Sequence, residues 1–342
     1  MANVTLRDVA EHVGVNVSTV SRALSSDRSS LVSPETRARV RAAAAQLGYR
    51  GNVQATALRR GRTGTIGVIV ADLSNPFIGP ALRGISTALG NQGLLPIMTE
   101  SRDSSEQLGR ICDKLLAQRV DGIIVTAGRF GDEALLRRVA NEVPLVLAVR
   151  QLPHSGLHTI AHDDLAGGRA AAEHLLELGH TRLAQLIGPQ DIYSFRARGI
   201  GFRETVAAAG HACDDVAAGI VLPTLSAGRD LMNALLERTD GELPTAVFAH
   251  NDSIAVGALS AMRQAGLRCP DDISLVGYND TPLTEYLTPA LTTVRLPGYE
   301  LGRLAAELVV TLSEGSMTTT KTVTIAPELV VRESTRPIEG SG

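Results

Sequence analysis

From Thr65 onward the chain alternates short apolar runs with amphipathic segments, and the whole series occurs twice. Few folds accommodate such a pattern. Thr65–Val70, Leu95–Met98, Gly122–Val125 and Leu145–Ala148 read as strands, separated by helices at Phe77–Asn91, Ser104–Gln118 and Asp132–Glu142. Strands apolar along their length must be covered on both faces, which crossover helices do in a parallel, doubly wound sheet. A second series follows, with strands at Leu183–Ile187, Ile220–Leu222, Ala246–Ala249 and Ser274–Val276. Its helices lie at Asp164–Leu178, Ser194–Ala209, Ser226–Glu237 and Asp252–Ala265. The expectation is a bilobed α/β body of two doubly wound parallel sheets. A late helix, Tyr299–Glu314, should return to the first lobe, and strands near Lys321–Ile325 and Glu328–Glu333 should complete both sheets.

The residues before Thr65 follow another rule. Thr5 is a candidate cap for a helix whose inner face is Leu6, Val9, Ala10 and Val13, and Gly14 ends it. Asn16 is placed to cap a second helix with a narrow apolar stripe of Val20, Ala23 and Leu24. Its outer face carries Val17, Ser18, Ser21 and Arg22. Ser33, Pro34 and Glu35 open a third helix that runs through Val40 and Leu47 to Gly48. A helix, a tight glycine turn and a second helix with a small polar outer face form a helix-turn-helix DNA-binding unit, whose second helix enters a major groove. There Arg22 can fork onto guanine, Ser18 can donate or accept, and Val17 can touch a thymine methyl. Residues 1–63 hold ten arginines against four acidic residues, whereas the chain as a whole has a net charge of −3. A basic module on an acidic body neutralises phosphates without making the whole protein adhesive.

The segments TLRDVAEHVGVNVSTVSRAL, VSPETRARVRAAAAQLGY and NVQATALRRG resemble the head and hinge of the lac repressor (LacI/GalR) family of bacterial transcription regulators. LAQRVDGIIV, EHLLELGH, FAHNDSIAVGAL, ISLVGYND and LTTVRLPGYELGRLAAELV extend the similarity over nearly the whole chain. The resemblance implies a periplasmic-binding-protein-like core, a homodimer on a near-palindromic double-stranded DNA operator, and a carbohydrate-related small-molecule effector between the lobes. The DNA-contacting positions would be Thr5, Asn16, Val17, Ser18, Thr19, Ser21 and Arg22 in the head, and Asn52, Ala55 and Leu58 in the hinge. Val53–Arg59 spans barely two turns and is too short to hold as a helix alone. In the family, DNA orders it and a leucine, here Leu58, wedges into the minor groove. Gly51 stands where the family commonly has proline. The implied organisation is a headpiece at 1–50, a hinge at 51–63, a core at 64–336 and a tail at 337–342. Lobe 1 would take about 64–161 and 294–322, and lobe 2 about 162–293 and 323–336.

Open sheets of this type bind ligands just beyond the carboxyl ends of their strands. That rule selects Asp72, Asn75 and Phe77 after the first strand, Arg150 after the fourth, and Asp163 and Asp164 at the second lobe's opening. In the second lobe it selects Tyr193, Phe195, Arg198, Asn251, Asp252, Asn279 and Asp280. The resemblance places Phe77, Asp163, Arg198, Asn251 and Asn279 in the effector pocket. Asp252 has an alternative role as a helix cap. The family commonly has Asp where Val149 stands, Asp where Asn279 stands and Gln where Leu296 stands, and the chain has no tryptophan to stack on a sugar ring. With Arg150 and Arg198 near the cleft, the expected ligand is anionic or less hydroxylated than a simple sugar.

His154, His158 and His162 recur at helical spacing, but Pro153 and Gly156 break any helix there, so no metal site is expected. No phosphate loop, nucleophile elbow or correctly placed G-x-G-x-x-G occurs, so neither an enzyme nor a cofactor is expected. Cys112, Cys213 and Cys269 are few, odd in number and far apart. They read as small buried hydrophobes in a reducing compartment. A polar start and the lack of a long apolar run predict a cytoplasmic protein without a membrane segment.

Overall fold

The computed structural model describes residues 4–24, 31–49, 62–217, 222–238, 242–315, 317 and 319–338. Contacts divide the chain into two units after Thr63.

The first unit contains α1 (Leu6–Val13), α2 (Val17–Ala23) and α3 (Pro34–Gln46). Thr5 and Asp8 form a reciprocal capping box: the Thr5 N–H donates to Asp8 Oδ2 at 2.7 Å and the Asp8 N–H to Thr5 Oγ1 at 3.4 Å. Gly14 closes α1 with φ 72°, a left-handed conformation that suits glycine, and returns its N–H to the Ala10 carbonyl. Asn16 occupies the cap position of α2, yet its side chain makes no capping bond, contrary to the sequence expectation. Ser33 caps α3, accepting from the Thr36 N–H. Val9, Ala10, Val13, Val20, Ala23, Val40, Ala43 and Ala44 share one small core. Arg39 locks α3 to α1 by donating to the Val13 carbonyl at 2.9 Å.

The second unit begins with β1 (Thr65–Val70), α4 (Ile78–Asn91), β2 (Leu95–Glu100), α5 (Ser105–Ala117), β3 (Gly122–Val125), α6 (Glu133–Ala140), β4 (Leu145–Val149) and β5 (His158–His162). It continues with α7 (Asp164–Glu177), β6 (Leu183–Leu186), α8 (Tyr193–Ala208), β7 (Cys213–Val216), α9 (Leu225–Arg238), β8 (Ala246–Ala249), α10 (Asp252–Gln264) and β9 (Ser274–Asn279). The last elements are β10 (Thr292–Arg295), α11 (Gly298–Ser313), β11 (Thr322–Ile325) and β12 (Glu328–Val330). Among the described residues the strands form two six-stranded sheets, ordered β11-β5-β4-β3-β1-β2 and β12-β10-β9-β8-β6-β7. Within them only the β10–β12 pair is antiparallel.

Alternation along each strand sends successive side chains to opposite faces. In β1, Ile66, Val68 and Val70 meet Ile85, Leu89, Leu301 and Val309 of α4 and α11, whereas Ile69 meets Leu108 and Leu115 of α5. In the second sheet, Phe248, Val276 and Tyr278 meet Phe202 and Leu175, and Val247 and Leu275 meet Leu231, Met232 and Ala258. Paired helices approach through glycine. A Cβ built on Gly84 of α4 would lie 2.1 Å from the Tyr299 carbonyl oxygen, and one on Gly302 of α11 would lie 2.0 Å from that of Ala81. The same reciprocal device joins α7 to α8 through Gly168 and Gly201, and α9 to α10 through Gly228 and Gly257.

Three sequence expectations need correction. The second strand of the second series is Cys213–Val216, not Ile220–Leu222; residues 220 and 221 lie outside the described residues, and Leu222 is exposed. As an edge strand it buries only Val216 fully and leaves Asp214 and Asp215 exposed, so it carries no apolar run. The strand β10 was not anticipated. Because β10 joins the second sheet and β11 the first, the chain passes between lobes after Arg295 and after Ile325, not after 293 and 322.

Candidate functional site

In the head unit, α2 turns Val20 and Ala23 fully inward and leaves Val17, Ser18 and Arg22 exposed, with Thr19 and Ser21 half-buried. The packing thus fixes which side is free, and that side combines a guanidinium fork, a hydroxyl and an apolar tip. These groups suit the donor, acceptor and methyl pattern of a major groove. Asn16 is exposed beside them, its amide not spent on the helix terminus. Thr5 is exposed, but its hydroxyl and N–H serve the capping box, which holds the Asp8 carboxyl below its ordinary pKa. The hinge positions Asn52, Ala55 and Leu58 lie outside the described residues.

In the second unit, residues just beyond the strand ends of both lobes meet. Phe77, which follows β1, packs into the second lobe's core with Tyr278, Val294 and Leu296. Val149 ends β4 with φ 68° and packs against the cores of both lobes. A β-branched residue in that conformation is strained, by about 1–3 kcal/mol, and its surroundings must hold it there.

Arg198 of α8 is the polar centre. Its Nε donates to Asp164 Oδ1 at 2.8 Å and its Nη1 to the His250 carbonyl at 2.6 Å, while its guanidinium lies 4.0 Å over the Tyr278 ring and 4.6 Å over Phe195. The Tyr278 hydroxyl donates to the same Asp164 oxygen at 3.1 Å. Burial pushes the Asp164 carboxyl up and Arg198 pulls it back, so each charge depends on the other. Gly167 makes room for this arrangement, since a Cβ there would lie 2.2 Å from the Tyr278 oxygen.

Behind Arg198 a directed hydrogen-bond chain crosses the lobe. The Gly188 N–H donates to His250 Nδ1 at 3.2 Å, so the ring proton sits on Nε2 and is donated to Gln185 Oε1 at 2.9 Å. Gln185 Nε2 then donates to Asp215 Oδ1 at 2.6 Å, and Asp215 pairs with Arg203 at 2.7 Å. Burial holds the His250 imidazole down to about 3, so it is neutral.

A second group forms a clasp between the lobes. Arg129, after β3, donates from Nε to Asp191 Oδ2 at 2.8 Å and from Nη1 to the Asp103 carbonyl at 3.0 Å. The Phe130 N–H donates to the Asp191 carbonyl at 2.9 Å, Tyr193 meets the Phe130 ring edge-on, and Arg196 stacks over it. Arg150 pairs with the Asp103 carboxylate.

Several expected site residues therefore have structural employment. Asp72 accepts the N–H and hydroxyl of Ser74 in a local turn. Asp163 caps α7 through the Ala166 N–H. Asn251 caps α10 through the Ile254 N–H and donates to the Pro223 carbonyl. The cap is thus Asn251 and not Asp252, whose carboxylate accepts from the Thr281 N–H and the Thr293 hydroxyl instead. Tyr193 and Arg150 belong to the clasp. Phe77 lies where the two lobes meet, and Asn279 ends β9 at φ 113° with a buried Oδ1 that has no partner.

The two arginines behind the expectation of an anionic ligand, Arg150 and Arg198, are each paired with a carboxylate. The sequence reading missed Arg129, Phe130 and Asp191, which lie in loops without a periodic signal. It also missed His162, which it weighed only as a metal ligand. Among the described residues no cluster of His, Cys, Asp or Glu could hold a metal, and no helix is long and apolar enough to cross a membrane.

The first unit and the start of the hinge, residues 5–52, match the model for bacterial regulatory proteins of the lacI family, and residues 172–335 match that of a periplasmic binding protein-like domain. The chain is 32% identical over 340 residues to the HTH-type transcriptional regulator DegA of Bacillus subtilis, covering 98% of each chain. It is 32% identical over 336 residues to the HTH-type transcriptional repressor CytR of Escherichia coli, covering 98% of this chain and 97% of that one. A lac repressor dimer solved on its operator with the anti-inducer ONPF superposes with a TM-score of 0.88 at 29% identity, covering 98% of this chain and 100% of that one.

Proposed function

Because the chain belongs to the lacI family of bacterial regulatory proteins, we propose that it is a cytoplasmic repressor whose homodimer reads a near-palindromic operator through Val17, Ser18 and Arg22. It is a DNA-binding transcription regulator controlled by a sugar or related metabolite, not an enzyme. The effector sits between the lobes, against Phe77, Arg198 and Asn279. The observation that carries the reading is the free face of α2 on a separately folded basic unit. Exposed apolar side chains at Leu73, Leu95 and Met98 in lobe 1, and Leu283 and Tyr286 in lobe 2, supply surface for the partner subunit.

Effector and operator are then linked reciprocally, by a coupling free energy of typically about 1–3 kcal/mol. Gel shifts of the full-length protein on the DNA upstream of its own gene, at two salt concentrations, test the reading. Specific binding with steep salt dependence is expected. Arg22→Ala should cost about 1–3 kcal/mol and relax base preference at one position; an equal loss on every sequence would place Arg22 on phosphate instead.

A further inference from the structure

The strongest unexplained feature of the second unit is a histidine. His162 is the last residue of β5, paired in register with Ile325 and followed directly by the chain's passage into lobe 2. Only 1% of it is exposed. Its ring meets Phe77 edge-on at 5.9 Å, and the Arg198 guanidinium acts on it electrostatically, so both lobes converge on it. Yet its Nε2 is buried and bonds to nothing. Asn279 Oδ1, at the end of β9, is buried and unpartnered in the same way. A folded chain leaves few such atoms unsatisfied, because each forfeits its bonds to water without replacement. Two of them at strand ends of an interlobe site are what a ligand would satisfy.

The charges around them limit what that ligand can be. Arg198 is neutralised by Asp164, Arg150 by Asp103, and Arg129 by Asp103 and Asp191. An anion entering here would find no uncommitted arginine among these and would meet the Asp163 carboxylate at the opening of lobe 2. A cation would find Asp103 and Asp164 already paired with those arginines. The remaining walls, Phe77, Val149 and Leu296, are apolar. Asn279 Oδ1 accepts only, so the ligand must bring an O–H or N–H to it.

We infer that His162 is a specificity-determining residue of the effector site, hydrogen-bonding through Nε2 to an uncharged effector whose hydroxyl or amide hydrogen also satisfies Asn279 Oδ1. The inference deepens the proposed function and rests on its placing the effector between the lobes. Burial and the Arg198 charge outweigh the ring's bond to the Pro297 backbone and hold the His162 imidazole down to about 3, so it meets the ligand as a neutral ring. Glu or Asp at this position would introduce a charge with no partner. Phenylalanine would keep the ring's shape and its edge contact with Phe77 while removing both nitrogens.

The test uses the full-length protein and its His162→Phe and His162→Gln variants. Thermal melts without ligand first establish that both variants fold, since His162→Phe removes the ring's bond to the Pro297 backbone along with the unpartnered Nε2. Thermal shift and calorimetry are then run with matched probes: D-ribose against ribose 5-phosphate, cellobiose against cellobionate, adenosine against its monophosphate. Binding confined to uncharged members is expected, weakened at least tenfold in His162→Phe and partly restored in His162→Gln. Tighter binding of a charged member, or equal binding by His162→Phe and the natural protein, would overturn it. A gel shift of His162→Phe keeps the two readings apart: DNA binding should persist whatever happens at the cleft, and its absence in the natural protein would count against the proposed function alone.

Discussion

The two lobes share a topology but not an interior. Lobe 1 packs its sheet between nearly pure hydrocarbon, Ile66, Val68, Ile85 and Leu89 on one face and Ile69, Leu108 and Leu136 on the other. Lobe 2 buries Asp164, Gln185, Arg198, His250, Asn251 and Asp252 around its sheet, each bonded to another group. Buried polar groups stabilise little by themselves and are costly to leave unpaired. Their concentration around this sheet supports the proposed placing of the effector against lobe 2, with lobe 1 bringing the apolar Phe77 and Val149 and, at the end of β5, His162.

Breaking the polar half should therefore hurt most. Asp164→Ala would leave Arg198 charged, buried and unpaired, and should cost about 3–5 kcal/mol in chemical denaturation. A similar cost to an exposed pair such as Arg110–Glu106 would dissolve the contrast. Ile85→Ala in lobe 1 should cost about 2–4 kcal/mol through a cavity, with effector affinity unchanged if the lobe's interior only packs.

Acid sharpens the comparison further. His250 and His162 are held down to about 3 in the fold, so their stabilisation is complete above the unfolded value of 6.5 and is lost as pH falls through the interval to 3. Asp252 acts oppositely: burial raises it from 3.8 to about 6, so its contribution is present below 3.8 and lost as pH rises through 6. At about 1.4 kcal/mol per pH unit for each group, the two histidines outweigh Asp252, so moving from pH 7 to pH 5 should lower the stability of the fold. Denaturation at both pH values would show it, and His250→Gln should remove about half the histidine share.

Asp191→Asn should loosen the interlobe clasp by about 1 kcal/mol, read as faster hydrogen exchange around Phe130 and Tyr193. Smallest of all, Glu106→Gln on the exposed face of α5 should change stability by less than about 0.5 kcal/mol.

The sequence made the apolar scaffold legible because strands such as Thr65–Val70 and Gly122–Val125 advertise themselves by continuous hydrophobicity, and helix ends by Ser33, Ser104 and Gly14. It hid the edge strand Cys213–Val216, where one buried residue among exposed acids gives no period. The site was legible as a location but not as chemistry. Arg150 follows a strand end as expected, yet only the fold reveals Asp103 beside it. Asn251 and Asp252 adjoin in sequence, and nothing in that order says which of them closes the helix. His162 looked like one of three spaced ligands, and only its burial between Phe77 and Arg198 gives it another meaning.

The glycine crossings set the mechanics of the whole sensor. With carbonyl oxygens about 2 Å from where a methyl would stand, α4 with α11, α7 with α8 and α9 with α10 are gauged to each other like fitted gears. Such pairs neither slide nor breathe cheaply, so displacement collects in the few peptides that cross between halves. An engineer could recut the binding cavity freely while leaving these six positions alone, and the transmission would still run.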